Sequence, residues 1–323
     1  MKALRVAGAL ALIVLLVAAG GISWLYFHRP GLREYAAHHI VAPPRGAAAL
    51  TATWLGTTAL LLSDGEHAVV VDPFFTRPPG IVNLLANATV APDEALIARG
   101  LAQAGVRRLD AVLVSHSHHD HAMDAGVVAR LTGAPLVGSA STANVGRGGH
   151  LPETQLVVAK PGASLRLGAF TATFIESRHA GRTGGFPTGD ITAPLVPPAP
   201  IFDYRQGGTY SILIEHPLGT VLHHGSAGTV PGALRGRHAD VVFLGIALLG
   251  ELEPYLAETV DTVGATRVIP VHWDDFTRPL AEPLLPFPLV VRLDRFFADM
   301  ARLRPNVRVE TLTAGEPAVI FTR

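Results

Sequence analysis

One run of six residues near the middle of the chain carries side chains that could bind a metal. The run from His116 to His121 reads HSHHDH. The chain contains no cysteine, so a zinc-type ion could be held only by imidazole and carboxylate ligands. In an extended loop His116 and His118 would point to one side, while Asp120 and His121 could face a neighbouring centre. The spacing therefore predicts a site that can bind two ions. The alternative is a polar, solvated loop.

The elements on either side of this run should hold it at the edge of a sheet. Residues 109–114 are apolar except for Asp110, which is typical of a strand covered on both faces. Residues 122–131 have apolar side chains at helical spacing, and Gly133 follows them. The helix dipole favours a carboxylate in the first turn of such a helix, and Asp120 lies there. The run is thus predicted to form a strand-to-helix loop.

The rest of the chain from residue 47 onward alternates strand and helix patterns, and we predict one α/β domain. Further strands are predicted at 51–54, 59–62, 68–71, 155–158, 172–175, 210–214, 221–223, 241–244, 267–271, 307–310 and 318–322, and further helices at 93–104, 254–263 and 290–303. Two single histidines, His179 and His272, also follow apolar strands. Since α/β proteins place their sites at the ends of strands, these histidines could join the first cluster.

The N-terminal segment is predicted to meet a membrane. It is uncharged from Val6 to Phe27, which is long enough to cross a hydrocarbon layer of roughly 30 Å. It could be an uncleaved anchor or a signal peptide whose core ends near Ala19. We expect a membrane-anchored domain outside the cytoplasm, or a secreted or periplasmic one after cleavage. We assign residues 1–28 to the anchor or signal peptide, 29–46 to a linker that packs loosely on the domain or not at all, and 47–323 to the folded domain.

Composition narrows the range of partners. The 26 Lys and Arg residues balance 26 Asp and Glu residues, so no overall charge favours a polyanion and we expect no nucleic-acid partner. Hydrophobic residues make up 49% of the chain, which is enough to bury a large core. The sequence leaves the oligomeric state open.

The cluster and its flanking strands resemble the metallo-β-lactamase superfamily, whose signature H-x-H-x-D-H follows a buried strand. The resemblance covers most of residues 47–323 and includes the segments that begin at Trp54 and Asp72. It is strongest to the branch that contains L-ascorbate 6-phosphate lactonase and N-acyl-phosphatidylethanolamine phospholipase D. It implies a four-layer αβ/βα sandwich and a hydrolase. Such an enzyme would use a metal-bound hydroxide to cleave an ester, lactone or phosphodiester bond.

The resemblance also implies a ligand set for two metals. One ion would be held by His116, His118 and His179, and the other by Asp120, His121 and His272. Asp120 would in addition orient the nucleophile or accept its proton, which gives it a catalytic role. The expected cofactor is Zn²⁺, as one or two ions, with Mn²⁺ or Fe²⁺ as alternatives.

One position departs from the superfamily pattern. Members usually carry a G-D-T-G-like turn whose aspartate bridges the two metals, but this chain has Ser226 at that position, within the sequence HGSAG. Because the bridging carboxylate is missing, we expect weaker retention of one of the two metals. His223 and His224 could compensate as ligands or as hydrogen-bond donors.

Candidate substrate contacts lie in a Gly- and Pro-rich region. Arg178 and Arg182 flank His179 and could bind an anionic group, although solvated arginines would look the same in the sequence. An apolar wall over the metals could be formed by Phe186, Phe202 and Tyr204, with an ordinary surface loop as the alternative. A small or lipid-like molecule presented near the membrane is the expected substrate.

Two other functions fit the same residues. The site could hold a single iron ion and perform redox or sulfur chemistry. Alternatively, the chain could be a non-catalytic, membrane-tethered metal-binding protein, if Ser226 marks decay of the site.

Overall fold

Short apolar strands assemble into two seven-stranded sheets in the computed structural model, which describes residues 2–27, 29, 31–40, 49–78, 80–181 and 184–323. The strands in chain order are β1 Ala49–Trp54, β2 Leu60–Ser63, β3 Ala68–Val71, β4 Thr89–Val90, β5 Ala111–Leu113, β6 Leu136–Gly138, β7 Leu156–Val158, β8 Ser164–Leu167, β9 Phe170–Glu176, β10 Ala199–Pro200, β11 Tyr210–His216, β12 Gly219–His224, β13 Val241–Gly245, β14 Arg267–Val271, β15 Arg308–Val309 and β16 Pro317–Thr322.

Helices connect these strands. They are α1 Lys2–Phe27, α2 Ile81–Leu85, α3 Glu94–Gln103, α4 His119–Ala122, α5 Ala125–Thr132, α6 Ala140–Gly148, α7 Leu252–Leu256 and α8 Leu293–Leu303. A π-helical turn, Ala257–Asp261, continues α7. Short 3-10 turns occupy Leu32–His38, Glu153–Gln155 and Ile201–Asp203.

The two sheets share one pattern of pairing. The first has the order β16-β1-β2-β3-β5-β6-β7, and the second has the order β15-β14-β13-β12-β11-β9-β8. In each sheet three neighbouring pairs are antiparallel and three are parallel. The C-terminal strand β16 completes the first sheet beside β1. A separate two-stranded ribbon pairs β4 with β10.

Alternation along the strands sorts their side chains into two cores. In β3, Val69 and Val71 belong to the core between the sheets, whereas Val70 faces the core beneath the helices. In strand β5, Leu113 belongs to the core between the sheets and Val112 to the core beneath the helices. This alternation is expected because successive side chains of a strand point to opposite faces. Helices α3 and α5 cover the first sheet and α8 joins the core of the second. The result is the helix–sheet–sheet–helix sandwich that the sequence predicts.

The N-terminal helix α1 stands apart from this sandwich. Its segment Arg5–Trp24 has a mean hydropathy of 2.4, and none of it is buried against the domain. Among the described residues it is the one helix long and apolar enough to cross a membrane. Length and composition alone do not distinguish an anchor from a signal sequence, since both pass this test.

The segment after α1 packs on the domain. The ring of Tyr35 stacks on Phe297 of α8 with centroids 4.0 Å apart, and the Ile40 N–H donates to the Thr311 carbonyl at 3.1 Å. These aromatic and backbone contacts attach residues 31–40 to the domain, although none of residues 32–38 is buried. Residues 41–48 lie outside the described part of the chain.

Candidate metal centre

The first group of potential ligands connects the two sheets. Strand β5 of the first sheet ends at Leu113, and the chain passes through His116 and His118 before α4 begins. His179 follows β9 of the second sheet. The ligand atoms of the three histidines lie within 4.8 Å of one another. Nε2 of His116 is 3.1 Å from Nδ1 of His118, so the sequence-predicted trio converges.

The second group also takes residues from both sheets. Asp120 and His121 lie on α4, and His272 directly follows β14. Oδ2 of Asp120 is 3.5 Å from Nε2 of His121 and 3.4 Å from Nε2 of His272. The two Nε2 atoms are 3.3 Å apart. These three side chains form the second predicted trio.

The spacing within each trio suits a small divalent cation. Zinc–nitrogen bonds of roughly 2.0–2.1 Å place two tetrahedral ligands roughly 3.3 Å apart. The separations of 3.1 Å between His116 and His118 and of 3.3–3.5 Å within the second trio match that value. Three protein ligands per ion would leave one coordination position for water or substrate, which is the arrangement of catalytic rather than structural zinc sites.

The protonation of these side chains also fits metal binding, which requires unprotonated imidazole and ionised carboxylate. Burial lowers the pKa of His118 to about 3 and that of His272 to about 4, and it holds the pKa of His116 well below its ordinary value. Burial alone would raise the pKa of Asp120, but the surrounding histidines, His121 foremost, lower it. These three histidines are thus neutral and Asp120 is ionised, as metal ligands must be.

A buried carboxylate behind the second trio orients one of its histidines. Oδ2 of Asp72 lies 2.9 Å from Nδ1 of His121, and the Thr58 hydroxyl lies 2.9 Å from the same nitrogen. Asp72 also accepts hydrogen bonds from the N–H and the hydroxyl of Ser115, each at 2.7 Å. Because Nδ1 of His121 faces the carboxylate, Nε2 points to the trio. Such partners fix the ring orientation of metal-binding histidines.

Backbone strain is concentrated around the second trio. Thr57, Asp72 and His272 have φ angles of 49°, 46° and 57°, a left-handed conformation that costs on the order of 1–3 kcal/mol per non-glycine residue. The His272 N–H donates to the Thr57 carbonyl at 2.7 Å. The Thr57 N–H in turn donates to Oδ1 of Asp274 at 2.7 Å. These hydrogen bonds hold His272 in its strained conformation beside Asp120.

Both trios open into one cavity with a volume of about 370 Å³. The side chains from the trios in its wall are His118, Asp120, His179 and His272. The remaining wall is largely apolar, and its larger apolar residues are Leu84, Leu85, Phe186, Pro187, Ile201, Phe202, Leu248, Phe276, Phe287 and Val290. Among the described lining residues there is no lysine or arginine. The cavity therefore offers a metal site at its base and an apolar wall above it.

Residues 67–273 match the family model described as the beta-lactamase superfamily domain, and the two trios lie within or at the end of that range. The chain belongs to the metallo-β-lactamase superfamily. Proteins of similar sequence support this assignment. It is 25% identical to a UPF0173 metal-dependent hydrolase of Pyrobaculum islandicum over 69% of this chain and 84% of the relative. It is 24% identical to a UPF0173 metal-dependent hydrolase of Herpetosiphon aurantiacus, over 82% of this chain and 96% of that relative. The present chain is accordingly a metal-dependent hydrolase of the metallo-β-lactamase superfamily.

Solved structures share the metallo-β-lactamase fold at low identity. The metallo hydrolase Igni18 of Ignicoccus hospitalis matches with a TM-score of 0.54 and 16% identity, over 85% of this chain and 99% of that one. The metallo-β-lactamase fold protein YhfI of Bacillus subtilis has a TM-score of 0.51 and 15% identity, over 82% and 97%. CmlA of Streptomyces venezuelae, a diiron β-hydroxylase, has a TM-score of 0.50 and 16% identity, over 86% and 55%.

Ser226 lies in the wall of the cavity together with His118, Asp120, His179 and His272. Its hydroxyl accepts a hydrogen bond from the Ala180 N–H at 3.0 Å, directly after His179. Ser226 is outside both trios. Its observed contact therefore holds the segment that carries His179.

His223 and His224 are buried but belong to neither trio. Nε2 of His223 is 2.9 Å from the Thr58 carbonyl, and Nδ1 of His224 is 2.7 Å from the Ser211 hydroxyl. Neither belongs to a trio. Their hydrogen bonds tie strand β12 to its surroundings, so these histidines do not replace the missing bridging carboxylate.

Only some of the residues predicted to contact the substrate line the cavity. Arg178 is exposed, pairs with Gly228 through a β-bridge and is absent from the cavity wall. Tyr204 is fully buried and also does not line the cavity, whereas Phe186 and Phe202 do. Arg182 lies outside the described residues. The cavity thus supports an apolar wall but gives no support to a role for Arg178 or Tyr204.

Two residues near the trios, Asp72 and His119, were given no role from the sequence. Asp72 was noted only for its resemblance, yet it orients His121. His119 lines the cavity, with its ring edge-on to Phe74 and Phe276 at centroid distances of 5.9 Å. A signal for Asp72 was present, because it ends strand β3 next to β5 and should therefore share an edge with the cluster.

Proposed function

We propose that this metal-dependent hydrolase cleaves a carboxylic ester or lactone in a substrate with a sizeable apolar group. The observation that carries the proposal is the cavity whose base holds both trios and whose wall is apolar. A phosphodiester is a weaker candidate, because no lysine or arginine among the described lining residues would neutralise its charge. The substrate would be a small or lipid-like molecule.

Zinc, bound as one or two ions, would acidify a water molecule and polarise the scissile carbonyl. The chain's own contribution is to position the reacting groups. Oδ2 of Asp120 faces the second trio, while Oδ1 is 3.7 Å from Nδ1 of His119, beyond hydrogen-bond distance. Asp120 can therefore orient the attacking water with one oxygen and accept its proton.

The apolar wall would bind the non-reacting part of the substrate. Phe276 and Phe287 lie with ring centroids 5.0 Å apart, and Phe186 and Phe202 form a second pair at 4.9 Å. Covering these rings with an acyl chain would expel water and strengthen electrostatic interactions at the metals. We infer that acyl length, rather than charge, governs substrate choice.

We further propose that α1 anchors the protein in a membrane, with the domain outside the cytoplasm. Cleavage of α1 as a signal peptide would instead give a secreted or periplasmic protein. The length and apolar composition of α1 support either form. N-terminal sequencing of the protein from the membrane fraction separates the two, since an anchor keeps the residues of α1.

The decisive experiment combines metal analysis with a substrate panel. Full-length protein would be tested on nitrophenyl esters of increasing chain length, lactones and phosphodiesters. We expect ester or lactone turnover that His118→Ala abolishes and His238→Ala preserves. His238 is the matched control because its ring is exposed. Turnover that survives His118→Ala would overturn the proposed metal mechanism.

A second candidate is iron-dependent redox or sulfur chemistry at the same ligands. It is favoured by one observation, the shared fold of the diiron β-hydroxylase CmlA. Protein that retains iron, turns over a persulfide and leaves every ester and lactone intact would favour this candidate over hydrolysis.

A further inference from the structure

Exposed apolar side chains are concentrated at the mouth of the cavity. Outside α1, eight large apolar residues are exposed in the described part of the chain. Five of them lie at the mouth: three line the cavity, Leu289 adjoins the lining residue Val290, and Val82 lies one helical turn before the lining residue Leu85 on α2. We call this set the apolar rim, and it consists of Val82, Leu85, Phe186, Leu248 and Leu289. Large exposed apolar patches usually mark a binding surface.

Two rim residues are held outward by unfavourable backbone. Leu248 and Leu289 have φ angles of 54° and 62°, a region that bulky residues rarely occupy. Glycine or asparagine would relieve this strain at either position. Leu289 is nevertheless a leucine with 73% of its surface exposed. A strained, exposed leucine adds neither stability nor solubility, whereas contact with something outside the domain would account for it.

The end of α1 is fixed beside this rim. The Arg29 guanidinium donates to Oδ2 of Asp275 at 2.9 Å and to the Pro286 carbonyl at 2.7 Å. Both side chains of this ion pair are nearly fully buried. Pro286 is three residues from Leu289, so an extended chain could separate them by only roughly 11 Å. Arg29, two residues after the end of α1, is therefore fixed close to the rim residue Leu289.

We propose that the apolar rim rests on the lipid bilayer that α1 enters, so that the cavity opens towards the acyl chains. This inference rests on the proposed membrane anchorage. A bilayer fits the rim better than a protein partner does, because the five side chains offer only apolar contact and the adjoining α1 fixes the distance to the membrane. Apolar substrates would then pass from the bilayer into the cavity.

The absence of cysteine allows a direct test. Full-length Val82→Cys and Leu289→Cys would each be labelled with a polarity-sensitive fluorophore and reconstituted in phosphatidylcholine vesicles. Val158→Cys and Val196→Cys are matched controls, since both residues are exposed and apolar but outside the rim. Because interfacial apolar surfaces insert roughly 5–10 Å into the headgroup–acyl boundary, we expect a blue shift and severalfold quenching by acyl-chain spin labels at the rim alone.

Three results would overturn the inference. The rim labels could report water, as the controls should. They could be shielded without quenching by the lipid-borne label, which would indicate a second copy or another protein. The chain could also fail to float with the vesicles, which would show that α1 does not place the domain on a bilayer.

A second variant separates this inference from the proposed function. Leu289→Asn removes the apolar side chain and relieves the left-handed strain, so loss of folding would not confound the result. Its hydrolysis of soluble nitrophenyl acetate should equal that of the wild type, while its hydrolysis of a long-chain ester in vesicles should fall severalfold. Equal rates on the vesicle substrate would contradict the rim's role. An inactive wild type would count against the hydrolase proposal alone, because the fluorescence needs no turnover.

Discussion

Oδ2 of Asp72 lies 2.9 Å from Nδ1 of His121, and both side chains are completely buried. Burial alone would lower the pKa of His121, but Asp120 and Asp72 raise it. Because an ionised carboxylate can only accept a hydrogen bond, Nδ1 carries the proton in the neutral imidazole, and Nε2 then has the lone pair that a metal needs. Asp72 acts on the metal site through His121, as a positioning residue.

Replacing this carboxylate should weaken metal binding without removing a ligand. We expect Asp72→Asn to lower affinity for the ion at the second trio about 10–100-fold, which is typical for partners of metal-binding histidines. Competition with a chromophoric chelator would measure the change. Asp110→Asn is a suitable control, because Asp110 pairs with His67 at 3.2 Å far from both trios. Equal affinities of Asp72→Asn and wild type would contradict the role assigned to Asp72.

A carboxylate at position 226 should restore the missing bridge. Ser226 lines the cavity beside ligands of both trios, so Ser226→Asp would add a negative charge between two cations. We expect protein purified without added zinc to carry close to two ions per chain and to lose the second about tenfold more slowly to chelator. Ser226→Asn matches the side-chain size without the charge and should behave as wild type. Wild-type protein that already retains two ions firmly would contradict the premise.

Gly228 is required for the approach of two backbone segments. A Cβ at this position would collide with the carbonyl oxygens of Arg178 and His179. Gly228→Ala should displace His179, lower the free energy of unfolding by roughly 1–3 kcal/mol and reduce ester turnover. Gly126→Ala is the matched control, since its nearest neighbouring atom would be 3.7 Å away and alanine is favoured in helices. Denaturant unfolding of both variants provides the measurement.

Asp124 should make stability depend on pH. Burial raises the pKa of this carboxyl from 3.8 to about 7, although Oδ2 accepts hydrogen bonds from the Phe75 and Thr76 N–H groups. The folded chain then binds a proton that the unfolded chain releases between pH 4 and 7. Wild-type stability relative to Asp124→Asn should therefore fall as pH rises through this window, by at most about 1.4 kcal/mol per pH unit. Parallel profiles for the two proteins would show that Asp124 ionises normally.

Much of the fold was predictable because the strands are short, apolar and well separated. The segment 68–71 and the segment 267–271 are strands at the predicted bounds, since a run of β-branched residues between turns has few alternatives. The metal trios were predictable for a different reason. A signature with fixed spacing, followed by single histidines after strands, specifies which strand ends must meet.

Other features had no comparable signal. Strand β6 was missed because its three residues, LVG, are too few to show a period. Helix α6 was missed because its sequence, ASTANVGRG, is rich in small and polar residues. The packed segment Leu32–His38 was missed because its partner, Phe297, lies far away in the sequence. Likewise, no local pattern could indicate that Tyr204 would be buried away from the cavity.

Each trio takes ligands from both sheets, and this gives a bound ion a mechanical role. An ion between His121 and His272 would join residues 151 positions apart in the chain, and its partner site would link β5 to β9. Such an ion is a reversible cross-link across the sandwich, comparable in effect to a long-range disulfide in a chain that has no cysteine. Metal supply would then control the rigidity of the protein as well as its chemistry, and a chelator would act on both at once.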